Sequence, residues 1–182
     1  KLWLRTVIQQ ELSVAPEKIL YVEHHLSHAA SAFFCSPFAE AAVLTVDGVG
    51  EWATGTMGVA KADPAALRLT HEMRFPDSVG LLYSTFTSYL GFEVNEGEYK
   101  VMGMAAYGEP RYLEQIGRIA KLNEDGSVRL NLEYFAFPYS SRRSYTNRFL
   151  ALFGAPRDPE LPFITGAGDT GAPAVGVERS SP

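Results

Sequence analysis

Residues 24–33 read His-His-Leu-Ser-His-Ala-Ala-Ser-Ala-Phe, and this stretch holds three of the four histidines of the chain. Its apolar residues recur at i, i+4 and i+7: Leu26, Ala30 and Phe33. That spacing predicts an amphipathic helix with one face against a core. Because an α-helix turns once every 3.6 residues, His24 and His28 share a face and can direct both rings at one point. Two such imidazoles suit a metal ion, although they can also be two polar residues near a helix start.

Residues 41–51 read Ala-Ala-Val-Leu-Thr-Val-Asp-Gly-Val-Gly-Glu. The continuous apolar run predicts a buried strand that ends at Asp47. Gly48 and Gly50 lack a Cβ, so the chain can turn there and its N–H groups can approach an anion such as a phosphate. A helix with two histidines followed by a strand that delivers an aspartate could bring His24, His28 and Asp47 together on one metal ion. The alternative, which is compatible with the first, is a β-hairpin whose Asp47 and Gly48 form the turn.

The other two histidines are predicted not to bind the metal. His25 lies about 100° from His24 on the helical wheel and closer to the apolar stripe. His25→Ala should therefore leave metal binding nearly intact. His71 falls on the polar side of an alternating strand pattern over residues 67–74, which is typical of a solvated side chain.

A second candidate region covers residues 95–110, where Glu96, Glu98 and Lys100 lie among glycines. A lysine after a glycine turn can neutralise a phosphate, and the glutamates can orient a hydroxyl or a metal-bound water. Candidate catalytic residues are therefore Asp47 and Lys100. The candidate cofactor-binding residues are Gly48, Gly50, Glu98 and Lys100. The alternative is an ordinary helix over residues 98–107 with a charged first turn.

The remaining pattern predicts an α/β domain with a mixed sheet flanked by helices. A helix over residues 2–12 precedes a short buried strand over residues 19–22. Return strands follow over residues 52–60 and 67–74, and then a helix capped by Asp77 or Ser78. Residues 161–182 are rich in glycine and proline, which predicts an irregular tail. Their GxGxxG at residues 166–171 is not read as a dinucleotide site, because no clean strand precedes it.

The composition is typical of a globular protein and argues against nucleic-acid and membrane partners. Hydrophobic residues make up 46% and charged residues 20% of the 182 positions, as in ordinary globular domains. The net charge of −5 argues against nucleic acid as a partner. No apolar run approaches the roughly 20 residues that span a bilayer, so no membrane partner and a cytoplasmic location are expected. The single cysteine, Cys35, is predicted to be a small core residue.

Three segments in this order, residues 24–33, 43–51 and 97–110, resemble the NodU/CmcH family of O-carbamoyltransferases. The similarity extends over residues 22–160. It implies that residues 1–160 are part of a Kae1-like domain of the actin/sugar-kinase/Hsp70 superfamily (ASKHA, with the actin and ribonuclease H fold). In such domains an HxxxH helix and aspartates hold a divalent metal, usually iron, and these positions fall on His24, His28 and Asp47.

The resemblance also implies a reaction. A separate YrdC-like domain, outside these residues, would make carbamoyl-adenylate from ATP and carbamoyl phosphate. The Kae1-like domain would transfer the carbamoyl group to a small-molecule hydroxyl acceptor, so this chain alone should not complete the transfer. Two alternatives stay open: an ATP-dependent phosphotransferase of the same superfamily, and a folded metal-binding fragment without activity.

Overall fold

The computed structural model describes residues 3–160, which form helices and two small sheets. The helices are α1 (Leu4–Leu12), α2 (His24–Phe34), α3 (Val79–Tyr89), α4 (Glu98–Ala105), α5 (Leu113–Ile119) and α6 (Asn147–Phe153). The strands are β1 (Glu40–Gly50), β2 (Ala53–Lys61), β3 (Ala66–Arg74), β4 (Ala120–Leu122) and β5 (Val128–Leu130). Two short 3-10 helices cover Pro16–Lys18 and Leu132–Tyr134. The predicted α/β class is confirmed, and the tail prediction for residues 161–182 lies outside the described residues.

Strands β1, β2 and β3 form an antiparallel meander in that order, and β4 pairs with β5 as a separate antiparallel hairpin. Within residues 3–160 every pairing is therefore antiparallel, and the predicted mixed sheet is wrong for this part of the chain. The predicted buried strand over residues 19–22 is also wrong. Leu20 is 87% exposed, and Tyr21 and Val22 are exposed beside it. A strand needs a neighbour to complete its hydrogen-bond ladder, and none pairs with this segment in the described residues.

Helix α2 packs on one face of the meander, as its amphipathic pattern predicts. The core of this contact is Ala29 and Phe33 of the helix against Val43 and Ala60 of the sheet. The buried face is rotated by one position from the predicted stripe, because His25 is buried while Ala30 is only partly so. Cys35 at the end of α2 is exposed, so its prediction as a core residue is wrong.

The opposite face of the meander is apolar and open. Leu44 is 68% exposed, and Val46, Met57 and Val59 are exposed with it, whereas Val43 and Thr45 are buried against α2. Leu44 pairs with Met57 across the two strands. The continuous apolar run predicts a strand buried on both faces; among residues 3–160 a helix covers only one, so β1 alternates between buried and exposed.

Helix α3 joins the meander to a second apolar cluster. Its side chains Leu82, Phe86 and Tyr89 pack against the buried residues Ile119, Leu130, Phe135 and Phe149. Ser78 caps α3, as predicted, by accepting from the Leu81 N–H at 3.0 Å. The Ser78 hydroxyl also donates to the Gly48 carbonyl at 2.7 Å. A Cβ on Gly80 would lie 2.4 Å from the Asp47 carbonyl oxygen, so α3 reaches β1 at Asp47 because Gly80 has no side chain.

Candidate metal centre

Asp47 projects from a bulge in β1. Val46 pairs with Gly55 and Gly50 pairs with Ala53, so residues 47–49 of β1 lie opposite Thr54 alone. Such bulges change the direction of side chains beside functional sites. The hairpin between β1 and β2 is present, but it turns at residues 51–52. The predicted strand end and turn at Asp47 and Gly48 are therefore wrong, and Asp47 lies inside the strand.

The bulge brings Asp47 to the face of α2 that carries His24 and His28. The Nε2 atom of His24 lies 2.5 Å from Oδ2 of Asp47 and 2.9 Å from Nε2 of His28. The Nε2 atom of His28 lies 3.6 Å from the same carboxylate oxygen. Within residues 3–160, this is a set of three ligand atoms that all lie within 4.8 Å of one another. We call these three residues the triad.

Hydrogen bonds alone cannot give a partner to all three ligand atoms of the triad. The ring nitrogen His24 Nε2 has one in-plane direction for a proton or a lone pair, yet it contacts both Asp47 Oδ2 and His28 Nε2. In a neutral His24 ring, Nε2 can form a hydrogen bond with Asp47 Oδ2 or with His28 Nε2, but not with both. The atom left without a hydrogen bond has a lone pair that faces the same space. Ligands held about 2.1 Å from one ion at right angles are about 3 Å apart, which is close to the observed spacing. The donor set therefore fits a cation.

The environment of Asp47 favours its ionised form. Burial raises the pKa of the Asp47 carboxyl, but the Gly48 N–H, the hydrogen bond from His24 and the charges of His24 and His28 together hold that pKa below its ordinary value. The Gly48 N–H donates to Oδ1 at 2.6 Å, which leaves Oδ2 directed at the histidines. Asp47 is thus oriented through both of its oxygens.

The two glycines of the bulge have local structural functions. A Cβ at position 50 would lie 2.2 Å from Cδ2 of His24, so the ring occupies space that Gly50 leaves open. The Gly48 N–H is engaged by the Asp47 carboxylate. The binding of a phosphate by Gly48 or Gly50 stays a prediction.

His25 lies outside the triad and is 4% exposed. Its Nδ1 lies 2.7 Å from Thr45 Oγ1, and its Nε2 lies 2.9 Å from the Ala53 carbonyl oxygen. Thr45 Oγ1 in turn lies 2.7 Å from Thr56 Oγ1. Sequence reasoning missed the two threonines; the signal was the period-2 alternation, which places Thr45 on the same side of β1 as Asp47. His71 is exposed and its Nδ1 lies 2.9 Å from Thr70 Oγ1.

The region over residues 95–110 contains helix α4, which supports the helix alternative for this segment. Glu98 Oε1 accepts from the Ser84 hydroxyl at 3.0 Å and from the Asn95 N–H at 3.1 Å. Burial raises the pKa of Glu98, but these and neighbouring backbone donors hold it below the ordinary value. The Lys100 Nζ lies 5.9 Å from the ring centres of Phe92 and Tyr99. No hydrogen bond or ion pair joins Glu98 or Lys100 to the triad in the part of the chain that the structure describes.

A groove of about 410 Å³ opens beside His24. Its walls include Gly50, Trp52 and Phe75, with Glu23 and Glu72 at the polar parts of the lining. Trp52 is 70% exposed, and its ring centre lies 6.3 Å from that of Phe75. The groove is large enough for a small molecule with a polar group near the triad.

The chain belongs to a family of carbamoyltransferases, because the family model for the carbamoyltransferase N-terminus matches residues 6–159. It is 49% identical over 172 residues to an uncharacterized protein of Synechocystis, covering 89% of this chain and 27% of that protein. It is 40% identical over 138 residues to the nodulation protein NolNO of Sinorhizobium fredii, covering 73% of this chain and 20% of NolNO. The nodulation protein NolO of Bradyrhizobium diazoefficiens is 37% identical over 115 residues, with 62% of this chain and 20% of NolO covered. The family predicted from the three sequence segments is confirmed.

The chain thus spans only 20% to 27% of the length of these relatives. Among the helices of residues 3–160, none combines the length and the apolar character that crossing a membrane requires.

Proposed function

We propose that this chain is part of an ATP-dependent O-carbamoyltransferase in which His24, His28 and Asp47 hold a divalent metal. The observation that carries the proposal is the convergence of two ring nitrogens and one carboxylate oxygen within 4.8 Å of one another. Membership of the carbamoyltransferase family supports the reaction class.

The donor set indicates which ions fit. Two imidazoles and one carboxylate suit iron(II), manganese(II) or zinc, and a site with open positions favours iron(II). When bound, the ion would supply Lewis-acid chemistry, by gripping a phosphate or polarising the carbamoyl carbonyl. The exposure of His24 and His28 leaves one side of the triad accessible to substrate.

The proposed reaction moves a carbamoyl group from carbamoyl-adenylate to a hydroxyl. The acceptor oxygen attacks the carbamoyl carbon and forms the new C–O bond, while the bond from that carbon to the adenylate phosphate oxygen breaks. The proton of the hydroxyl passes to solvent, and AMP leaves with the electron pair of the broken bond. The groove beside His24 would hold the acceptor, and the wall formed by Trp52 and Phe75 would pack against its apolar parts.

Other parts of the proposal concern the whole protein. We propose that the chain contributes to a Kae1-like domain of the actin/sugar-kinase/Hsp70 superfamily, and that a YrdC-like domain elsewhere makes the adenylate from ATP and carbamoyl phosphate. The length of the relatives leaves room for such a domain.

The cytoplasm is the proposed compartment, because ATP is available there. Lys100 is proposed to neutralise a phosphate, which requires its ammonium to leave the rings of Phe92 and Tyr99.

The test identifies the product that the enzyme carrying this chain forms from ATP, with and without carbamoyl phosphate. Carbamoyl transfer through the adenylate converts ATP to AMP and requires carbamoyl phosphate, whereas a phosphotransferase produces ADP without it. We expect AMP formation that His24→Ala abolishes and His71→Ala preserves. ADP as the product would favour the phosphotransferase alternative, and full turnover by His24→Ala would overturn the metal centre.

A further inference from the structure

His25 is the best-buried histidine of the described residues, and its ring bonds to the Thr45 hydroxyl and the Ala53 carbonyl. We propose that His25 is a positioning residue: by bonding both edges of its ring to the sheet, it sets the angle at which His24 and His28 meet Asp47. This inference rests on the proposed metal centre and assigns a task to a residue outside the triad.

The partners of the ring define its tautomer. The Ala53 carbonyl can only accept, so Nε2 of His25 carries the proton and donates across 2.9 Å. In the neutral ring, Nδ1 must then accept, so the Thr45 hydroxyl donates to it across 2.7 Å. Thr45 Oγ1 also accepts from the Thr56 N–H at 3.2 Å and lies 2.7 Å from Thr56 Oγ1, which donates in turn. Both ring nitrogens of His25 and the Thr45 hydroxyl therefore have partners, and the order of the donors is unique for a neutral ring.

The contacts of His25 run beside those of His24. His24 and His25 are consecutive in α2, and their partners Asp47 and Thr45 are two positions apart on one side of β1. Helix α2 is thus attached to β1 by two adjacent side-chain contacts, and His25 adds a third attachment to β2 through Ala53. The packing of Ala29 and Phe33 holds the later turns of α2 against the sheet, and the two hydrogen bonds of His25 add fixed attachments in the first turn, where His24 lies. These attachments resist rotation of that turn about the helix axis.

Rotation of α2 matters because a metal site tolerates little displacement. Ligand atoms of a functional site must be held within roughly 0.5 Å and 10–20° of the required geometry. Since His24 and His28 both project from α2 while Asp47 belongs to β1, a turn of the helix moves two ligands together relative to the third. Loss of the His25 anchor should therefore weaken metal binding, although the residue touches no metal.

This inference revises the expectation that the helical wheel gives for His25→Ala. The wheel separates His25 from the ligand face correctly, but it cannot show that the ring is fixed between Thr45 and Ala53. His25→Ala should lower metal affinity, because it removes the hydrogen bonds to Thr45 and Ala53.

The experiment compares His25→Leu, His25→Gln and Thr45→Val in the enzyme that carries this chain, with the zinc dissociation constant and the melting temperature of the metal-free protein as readouts. Leucine keeps the apolar volume and removes both hydrogen bonds. Glutamine keeps a donor and an acceptor, so it can partly replace the ring. Thr87→Val is the matched control, because Thr87 is also fully buried but its hydroxyl bonds to the Tyr83 carbonyl of its own helix.

We expect His25→Leu and Thr45→Val to weaken zinc binding by about 10- to 100-fold, the range typical of residues that orient ligands. His25→Gln should recover most of this loss, and Thr87→Val should lower the melting temperature without changing the affinity. Nitrogen NMR should show His25 protonated at Nε2 before and after zinc addition. The inference is overturned if His25→Leu binds zinc with wild-type affinity, or if His25→Leu and His25→Gln lose the same amount of affinity. It is also overturned if zinc binds to a nitrogen of His25. Wild-type affinity in His24→Ala would identify a different failure, that of the metal centre itself.

Discussion

Gly50 and His24 compete for the same space: a Cβ at position 50 would lie 2.2 Å from Cδ2 and 2.6 Å from Cγ of the His24 ring. Real Cβ contacts are not this short, so any other residue at position 50 must displace the ring. The glycine is thus a steric requirement of the triad, independent of whether its backbone also meets a phosphate.

Gly50→Ala should weaken divalent metal binding by about 10-fold or more, because the His24 ring must move away from Asp47. Calorimetric titration with zinc measures the change. Gly103→Ala is the control, since a Cβ at position 103 meets nothing within 4 Å. That substitution should leave the affinity unchanged and stabilise helix α4 by up to about 1 kcal/mol. Equal zinc affinity in the two variants would contradict the steric function of Gly50.

His24→Ala and His28→Ala should each remove most bound metal, because either change leaves two of the three triad ligands. His71→Ala should keep the wild-type content, since His71 is exposed and bonds Thr70. Metal analysis after gel filtration of the iron-loaded protein compares the three variants. Unchanged iron in His28→Ala would show that the triad is not the binding site.

Gly80→Ala should destabilise the chain by about 1–3 kcal/mol, because its Cβ would lie 2.4 Å from the Asp47 carbonyl oxygen and force α3 away from β1. Urea denaturation gives the free energy of unfolding. In α5, Gly117→Ala is the matched control, since a Cβ there meets nothing within 4 Å. If Gly80→Ala were as stable as Gly117→Ala, the close packing of α3 on the bulge would be disproved.

Glu98 should make the stability of the chain sensitive to acid. Its pKa is lowered in the folded state, so its contribution to stability is complete above the ordinary value of 4.5 and is lost as the pH falls through the lower folded value. The melting temperature of the wild type should therefore fall more steeply below about pH 5 than that of Glu98→Gln. Glu96→Gln, at an exposed neighbouring position, should follow the wild-type curve. Parallel curves for the wild type and Glu98→Gln would rule out this contribution.

Residues 95–108 should exchange amide hydrogens faster than residues 43–46 when no nucleotide is bound. Helix α4 has no buried residue, whereas residues 43–46 are paired with β2 in the meander. Hydrogen exchange followed by mass spectrometry compares the two segments directly. Equal protection would contradict the lower local stability that the lack of buried residues in α4 predicts.

The parts of the fold that depend on local pattern could be predicted from the sequence. The 3.6-residue period placed His24 and His28 on one face of a helix, and the apolar run predicted the next strand, although with its end at Asp47 and not at Gly50. Asp77 and Ser78 were both predicted as possible caps, because either side chain can satisfy the free N–H groups of the following turn, and Ser78 is the one that does so. These signals act over a few residues, and each is visible in the chain itself.

The parts that depend on distant neighbours could not be predicted. Residues 19–22 have the composition of a strand, but strand formation also needs a partner at the right place. The side of α2 that is buried depends on where the meander lies, and this is why the position of His25 against Thr45 and Ala53 was missed. The bulge at Asp47 is likewise a property of the pairing between β1 and β2, which no pattern within one strand reveals.

The open apolar face of the meander and the edge of β1 that has no partner strand together affect work with this chain in isolation. In the described structure β1 pairs on one edge only, and residues 41–46 are uncharged and free of proline. A strand edge without a partner strand and without charge can act as a template for intermolecular pairing and aggregation. Leu44→Lys changes a side chain that points away from α2, so it should raise the fraction of protein that stays soluble after centrifugation without entering the core that supports the triad.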